Sequence, residues 1–512
     1  MSVYHSVVPG PATMLWGAAA LAAFLALRLY PIWHIRDRGC DAYNILLCAE
    51  NVRRNRRLPP RIDNLFILEE PEQWYPPVFF ALAALVPTRW LQRKFWLFNQ
   101  FVDLANAGLL FAVVSHFAGA AVAALAVVVY GMVAGLVQEF AALTTRPLGL
   151  LVLNALLLAA FATTTDYRWA PVAVFCGVVL VYAHKLSAQQ AWFSLPMISI
   201  GMADIRWLML LPIMYLVAAL VWPRGFRQVL HGHVVIVRFW HRNWPLLGAH
   251  AVRQSPVYGR EMEGGHFSAP AQSSVAGYLK QILHQNYFVL PALAMLLVPA
   301  PDPAFQTFLG LWVLSVYAAA LLIHFVNALR GIGLGMQYVK FALLPSLLAT
   351  SVTLGQGAPL WFQVLAAVAL VLTVRQYWLI AKLLRGESKA TEPRTEAIEP
   401  LLLRLRGDQD ARVLVLPYQL CDLVAYATRR PVYWGTHAQV FDERLEQFFP
   451  VLRKPLSHYA QDGNLNRLLL DTDYAEPASL GLTESDVIER AGCYALFRLS
   501  AETALPRMQA AE

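Results

Sequence analysis

The sequence predicts a polytopic α-helical membrane protein with a small α/β soluble domain at its C-terminal end. Three observations carry this. The 512 residues are 58% hydrophobic and only 14% charged, against about 25% charged in an ordinary soluble domain. Apolar runs of membrane-crossing length recur up to about residue 381,. Beyond residue 384 the pattern changes to charged stretches and apolar segments of strand length,.

The first span is expected at about 11–30. No Lys/Arg-rich region precedes it and no small-residue cleavage site follows it, so it reads as a retained span rather than a signal peptide,. A polar stretch from His34 to Tyr75 comes next, containing RDRGCDAYN, ENVRRNRRLPPR and EEPEQWYPP. Such a stretch cannot lie in hydrocarbon without protein cover. Asp41 to Arg57 suits a short helix, stopped by Pro59 and Pro60,. The apolar run Pro77–Pro87 is too short for a core of about 30 Å at about 1.5 Å per residue. It reads as an interfacial or re-entrant helix.

Further spans are expected near 95–115, 120–137, 148–164, 170–184, 205–222, 285–299, 306–325, 338–356 and 360–381, with a short membrane segment near 190–203,. The bundle thus has about 10–11 spans. With the N-terminus cytoplasmic, a ten-span count puts the loop 31–94 and the segment Gln138–Pro147 on the far side. It puts Arg224, Arg227, Arg238, Arg242, Arg330, Lys382 and Arg385 inside, as the positive-inside tendency favours. The Arg-rich first loop departs from that tendency; Asp37, Asp41, Glu50, Asp63, Glu69, Glu70 and Glu72 offset much of its charge, and a site for an anionic ligand there accounts for the rest. The same count makes the C-terminal domain cytoplasmic.

The transmembrane domain is expected over 1–385, a charged linker over 386–410 and the α/β domain over 411–512. Strands are expected at Val413–Leu416, Val432–Trp434, Leu468–Leu470 and Tyr494–Leu499, with a helix between Asp442 and Phe449,. This domain carries no Gly-rich phosphate loop. The net charge of +8 lies largely between apolar runs, so topology and anionic lipid explain it without nucleic acid. Five scattered cysteines without CxxC spacing argue against a disulfide scaffold,; only a Cys40–Cys48 bridge stays open.

Several polar residues could carry chemistry. Asp41, in a loop just beyond a span, suits a general base or a ligand for a divalent ion. It equally suits a helix N-terminal acid, or a partner of Arg36 or Arg38. Glu139 reaches the same face, and its bland reading is an ion pair with Arg146. Arg53, Arg54, Arg56, Arg57 and Arg61 could hold a lipid phosphate or only anionic headgroups. His184 and Lys185 close an apolar run, where a lysine is costly unless paired or snorkelled. Trp74 and Tyr75 suit headgroup anchors or a platform for a sugar. Tyr338 and Lys340 follow Gly331, Gly333 and Gly335, which could line a cavity or permit close helix packing. His231 and His233 are too weakly spaced for a metal site.

The order of these features resembles the GT-C superfamily of multi-spanning glycosyltransferases, most clearly over 12–200. A first span is followed by Asp41–Ala42–Tyr43–Asn44, an Arg-containing helix, the YPP entry at Tyr75–Pro77, and a second acidic loop at Glu139. The AHKLSAQ segment around Lys185 is similar to the span-end basic element of such enzymes. Asp41 stands alone rather than in a DxD pair, and the second acid is Glu. The resemblance implies a GT-C-like bundle in a bacterial inner membrane, with its site on the extracytoplasmic side. It implies an inverting transfer of sugar from a polyprenyl-phosphate carrier to a glycan, lipid or protein acceptor. Asp41 and Glu139 would be catalytic, and Arg57, Arg61 and Lys185 would hold phosphate. Tyr75, His184 and Tyr338 would line the substrate site, and a divalent ion, Mg or Mn, has a place beside Asp41. Two other readings fit the residues alone: a transporter or flippase, though no internal repeat is visible, and a polymerase or ligase of lipid-linked glycans. A non-catalytic scaffold that recruits partners through the C-terminal domain is a third.

Overall fold

Hydrocarbon offers no water to backbone groups, so the apolar runs become helices that bond internally. The computed structural model describes residues 10–33, 40–247, 274–435, 443–449 and 452–500. Through the bundle the helices are α1 Pro11–Leu29, α2 Cys40–Asn55, α3 Pro77–Ala84, α4 Thr88–Ala118, α5 Ala120–Gly131, α6 Ala134–Glu139, α7 Arg146–Ala162, α8 Ala170–Ala183, α9 Lys185–Gly201, α10 Ile205–Val221, α11 Pro223–Leu247, α12 Val275–Gln285, α13 Val289–Ala294, α14 Pro303–Phe325, α15 Leu343–Gly355 and α16 Leu360–Gly407. A 3-10 segment, Gly335–Ala342, leads into α15. Among the described residues five stretches are long and apolar enough to cross a membrane: α1, α4, α14, Gly335–Gly355 and 360–386 of α16. Shorter apolar helices, α5, α7, Tyr167–Ala183 and α10, stand among them. As expected, α3 is only 8 residues long, about 12 Å.

The ten-span count is corrected by α9. Its 17 residues extend about 25 Å. It begins where Tyr75 of the first loop accepts the Lys185 backbone N–H. It ends with Gly201 packed on Leu311, near Trp207 stacked on Phe308. That is the end of the bundle where Phe117 and Phe161 meet Phe305. The helix α10 then returns, and Trp222 packs on Trp74 of the first loop. With α9 as a crossing, everything after it changes side. Arg224 pairs with Glu72 at 2.7 Å, and Arg385 donates to Tyr30 at the end of α1. These arginines therefore lie on the face of the first loop, not opposite it.

The C-terminal domain changes side with them. Its four-stranded sheet has the order β1-β2-β4-β3, from Val413–Leu416, Arg467–Asp471, Tyr494–Arg498 and Val487–Ala491 respectively. β1 and β2 are parallel and the other pairs antiparallel. Helices α17 Cys421–Thr428, α18 Glu443–Phe448 and α19 Leu456–Asp462 complete it. The segment at Val432 bridges to β1 on one side and to Phe66 of the first loop on the other. Val432 N–H donates to Leu65 O at 2.8 Å, and Ile67 N–H to Val432 O at 2.9 Å. Residues of the first loop thus extend the sheet of the C-terminal domain. Arg429 pairs with Glu50 of α2 at 2.6 Å, and Arg242 of α11 pairs with Glu446 at 2.5 Å. A cytoplasmic C-terminal domain beneath an extracytoplasmic first loop is incompatible with these bonds.

The segment expected as a linker is the continuation of α16, which is helical to Gly407. Its Ile398, Leu401, Leu402 and Leu405 are buried. That helical spacing lays one apolar stripe on the sheet face formed by Val413, Val415, Leu469 and Leu496. Cys48 is a free thiol donating to Asn44 Oδ1 at 3.0 Å, so no Cys40–Cys48 bridge forms.

Candidate active site at the membrane face

Glu139 ends α6, a short helix after the break that follows α5. Its Oε1 accepts from Arg146 Nη1 at 2.7 Å. The same oxygen binds Nζ of Lys340, which comes from the 3-10 segment 201 positions away in the chain. Lys340 is 6% exposed and Glu139 16%. Burial on its own raises the Glu139 carboxyl. Lys340 first and Arg146 next outweigh it and hold the group below the ordinary carboxylate range,. Glu139 is ionised here, clamped between two cations.

His184 stands at the tight reversal between α8 and α9, in extended backbone. Its Nδ1 accepts the Ser187 backbone N–H and lies 2.8 Å from Ser187 Oγ, capping α9,. Gly149 on α7 makes this approach possible: a Cβ there would lie 2.4 Å from the His184 Cβ. Burial, then the fields of Lys340, Arg146, His233 and Lys185, push the His184 imidazole well below its usual range. It is neutral, and an accepting Nδ1 leaves its proton on Nε2.

Tyr75 receives the first backbone N–H of α9 on its hydroxyl, and its ring meets His233 of α11 edge-on at 5.6 Å. Burial raises the Tyr75 hydroxyl, while Arg146 lowers it and Asp41 raises it further. Asp41, half-buried in the first turn of α2, therefore lies within electrostatic reach of Tyr75, as does Arg146. His233 is held near 3 by burial and then by Lys185, and its Nε2 is buried with no hydrogen-bond partner. Tyr338 donates to Gln189 Oε1 of α9 at 2.8 Å, which ties the Lys340 segment to the Lys185 helix.

The structure thus brings together Asp41, Tyr75, Glu139, His184 and Lys185, with Tyr338 directly behind. It adds Arg146, Lys340 and His233. Arg57 and Arg61 do not join this group. Arg57 pairs with Glu72 and Arg61 with Asp63, both at 2.7 Å and half-exposed. Arg53 donates to the Ala84 carbonyl at 3.0 Å, capping the end of α3. Trp74 is buried at 3% exposure with Arg224 5.3 Å over its ring, so it is neither a headgroup anchor nor a sugar platform. Gly335 packs on the Ala320 carbonyl and Gly331 on that of Val237, so these glycines serve close packing. Arg36 and Arg38 lie outside the described residues.

Three cations, Arg146, Lys185 and Lys340, converge here with two carboxylates. This charge pattern suits an anionic ligand beside a single acid able to accept a proton. Among the described residues, Glu139 is already bound by Lys340 and Arg146. Among the described residues, the one group of three metal-type side chains is Asp471, Asp473 and Cys493 in the C-terminal domain.

No protein-family model matches the sequence, and no curated relative does. Solved structures do match. The oligosaccharyltransferase AglB of Archaeoglobus fulgidus, in complex with an inhibitory peptide and a dolichol-phosphate, aligns over 97% of this chain and 75% of its own, at 11% identity and TM-score 0.60. The Archaeoglobus fulgidus oligosaccharyltransferase tethered with an acceptor peptide aligns over 92% and 70%, at 8% identity and TM-score 0.59. Its complex with Zn and sulfate aligns over 92% and 71%, at 12% identity and TM-score 0.55. At such identities the likeness speaks for the fold, and this chain has the GT-C fold that its sequence resembles.

Proposed function

We propose that the chain is a membrane glycosyltransferase that moves a sugar from a polyprenyl-phosphate carrier to an acceptor, with inversion at the anomeric carbon. The observation that carries this is the convergence of Arg146, Lys185 and Lys340 with Asp41 at one face of the bundle. The fold likeness to an enzyme solved with dolichol-phosphate supports a lipid-phosphate donor. The acceptor is a glycan, lipid or protein. By the same reading the chain sits in a bacterial inner membrane with this face extracytoplasmic. Residues 1–385 are its transferase body and 411–512 an accessory domain on the same face.

In this mechanism the cations hold the phosphate and offset the charge that grows on it as the bond from the anomeric carbon to phosphate oxygen breaks. Asp41 takes the proton of the acceptor group as that group bonds to the anomeric carbon from the opposite side. Glu139 keeps Arg146 and Lys340 aimed, rather than acting as a second base. Tyr75 and neutral His184, with its Nε2–H, supply hydrogen bonds to the sugar phosphate.

The test is the purified protein in nanodiscs with a panel of radiolabelled polyprenyl-phosphate sugars and membrane extract as acceptor. Wild type releases label from the lipid with at least one donor, and a folded Asp41→Asn loses that turnover. Turnover undiminished in Asp41→Asn removes Asp41 from the site. No turnover with any donor removes the enzyme reading.

A further inference from the structure

The break that delivers Glu139 has a physical cost. Between Gly131 and Arg146 the chain leaves regular helix twice, and helix ends carry carbonyls without intrahelical partners. Inside a membrane bundle an unbonded carbonyl costs several kcal/mol. Gln100 and Asn99 of α4 answer two such carbonyls, and Arg28 of α1, held by Asp103 of α4, adds a donor to two carbonyls that backbone N–H groups already bond. Arg28 donates to Tyr130 O at 3.1 Å and to Val133 O at 3.3 Å. Gln100 donates to Phe140 O at 3.1 Å, and Asn99 donates to Ala142 O. Asp103 pairs with Arg28 at 3.1 Å and accepts from Tyr130 Oη at 2.7 Å. Arg28, Asn99, Gln100 and Asp103 are all 0% exposed.

The acceptors flank Glu139 on both sides, and two of them lie one and three residues beyond it. Moving the chain at Phe140 moves the carboxylate that holds Lys340 and Arg146. Asn154 provides a contrast. It is equally buried, and it donates to Asn106 at 2.9 Å. Asn106 belongs to the same polar network through Asp103 at 3.4 Å, yet no bond of Asn154 reaches the broken stretch.

We infer that Arg28, Asn99, Gln100 and Asp103 are positioning residues for the transfer reaction, fixing the carbonyls of residues 130–142 and through them the Glu139 clamp on Lys340 and Arg146. This rests on the transferase reading, and its test has one readout independent of activity. Gln100→Met removes the donor at nearly constant volume, and Asn154→Leu removes a buried amide elsewhere in the network. Amide hydrogen exchange is measured in nanodiscs, and transfer kinetics with whichever donor wild type uses.

Gln100→Met raises exchange over 140–145 by about tenfold, the scale of one lost buried hydrogen bond. It lowers kcat by a similar factor while KM stays within about twofold, because donor binding survives and alignment does not. Asn154→Leu does neither. Should Gln100→Met fail to fold, Asn99→Leu removes the neighbouring donor and carries the same expectations. Unchanged exchange over 140–145 overturns the cradle. Raised exchange with unchanged kcat overturns its role in positioning, and so does an Asn154→Leu protein that matches Gln100→Met. If wild type turns over no donor, the transferase reading falls while the exchange data still decide whether these side chains fix the stretch.

Discussion

Replacing Lys340 by methionine tests the electrostatic centre of the site. Lys340 and Glu139 are nearly enclosed, at 6% and 16% exposure, while Arg146 on the same carboxylate is 34% exposed. Removing one partner of a buried pair costs about 3–5 kcal/mol, mostly because the other charge is left buried. Arg146 keeps its place on Glu139 Oε1, so Lys340→Met belongs at the low end, about 3 kcal/mol. Glu139→Gln leaves two cations facing each other and costs at least as much. The double variant leaves no buried unpaired charge at the Lys340 position. Its loss falls short of the sum of the singles by about 2 kcal/mol, within the range for residues in contact. The assay is unfolding of the four proteins in mixed micelles, read as free energies. The pH dependence adds a second reading. Glu139 is held below the ordinary carboxylate range, so its contribution is present above the unfolded-state pKa and is lost as pH falls through the folded value. In Lys340→Met only Arg146 opposes burial, the folded value rises, and acid loss starts at a higher pH. Strictly additive losses, or an acid limb that does not move, would refute the reasoning.

Three further outcomes follow from particular contacts. Glu69 joins the first loop to the C-terminal domain, accepting from Gly435 N–H at 2.7 Å and Gln73 at 3.2 Å. Burial and then Asp422 raise it to about 8. The folded state therefore holds a proton that the unfolded chain gives up. Stability falls as pH rises from the ordinary carboxylate range to about 8 and levels off above it. Melting curves from pH 5 to 9 show this slope in wild type and a flatter one in Glu69→Gln. Gly149→Ala places a methyl 2.4 Å from the His184 Cβ, which is not the end of a flexible chain. Overpacking here costs about 1–3 kcal/mol, and turnover falls with it, checked by melting and label release together. Replacing Val432 by proline removes the N–H that donates to Leu65 O. Limited proteolysis then cleaves the first loop faster than in wild type.

How far the sequence led depends on whether a signal was local. β1 was legible to the residue because Val413–Leu416 is a continuous apolar run closed by Pro417, as suits a parallel strand buried on both faces. β3 was not, since Val487–Ala491 lies at the sheet edge and carries two adjacent charges, Glu489 and Arg490, with no apolar–polar alternation. The crossing α9 was read as only a short segment because Gln189, Gln190 and Ser194 lower its hydropathy. Those groups find partners inside the bundle: Gln190 Nε2 donates to Ser194, Ser194 bonds Ser315, and Gln189 accepts from Tyr338. Ser315 and Tyr338 sit far away in the chain, so the pattern hides a crossing, and one hidden crossing reverses the side of everything after it. The same distance hid Lys340 as the partner of Glu139. His231 and His233 are too weakly spaced to signal a site, and only the fold places the His233 ring beside Tyr75. The arginines were dense enough to suggest phosphate, and only the folded loop shows Glu72, Asp63 and Ala84 engaging three of them.

In the proposed function the carrier phosphate is held where Arg146, Lys185 and Lys340 meet. That placement is tested most directly by cryo-electron microscopy of the full chain in nanodiscs loaded with polyprenyl phosphate. Phosphate density is expected within hydrogen-bond reach of at least two of these cations, on the same side of the bundle as Asp41 and Tyr75. Phosphate density beside Arg57 and Arg61 instead, with the Glu139 clamp unapproached, would contradict it.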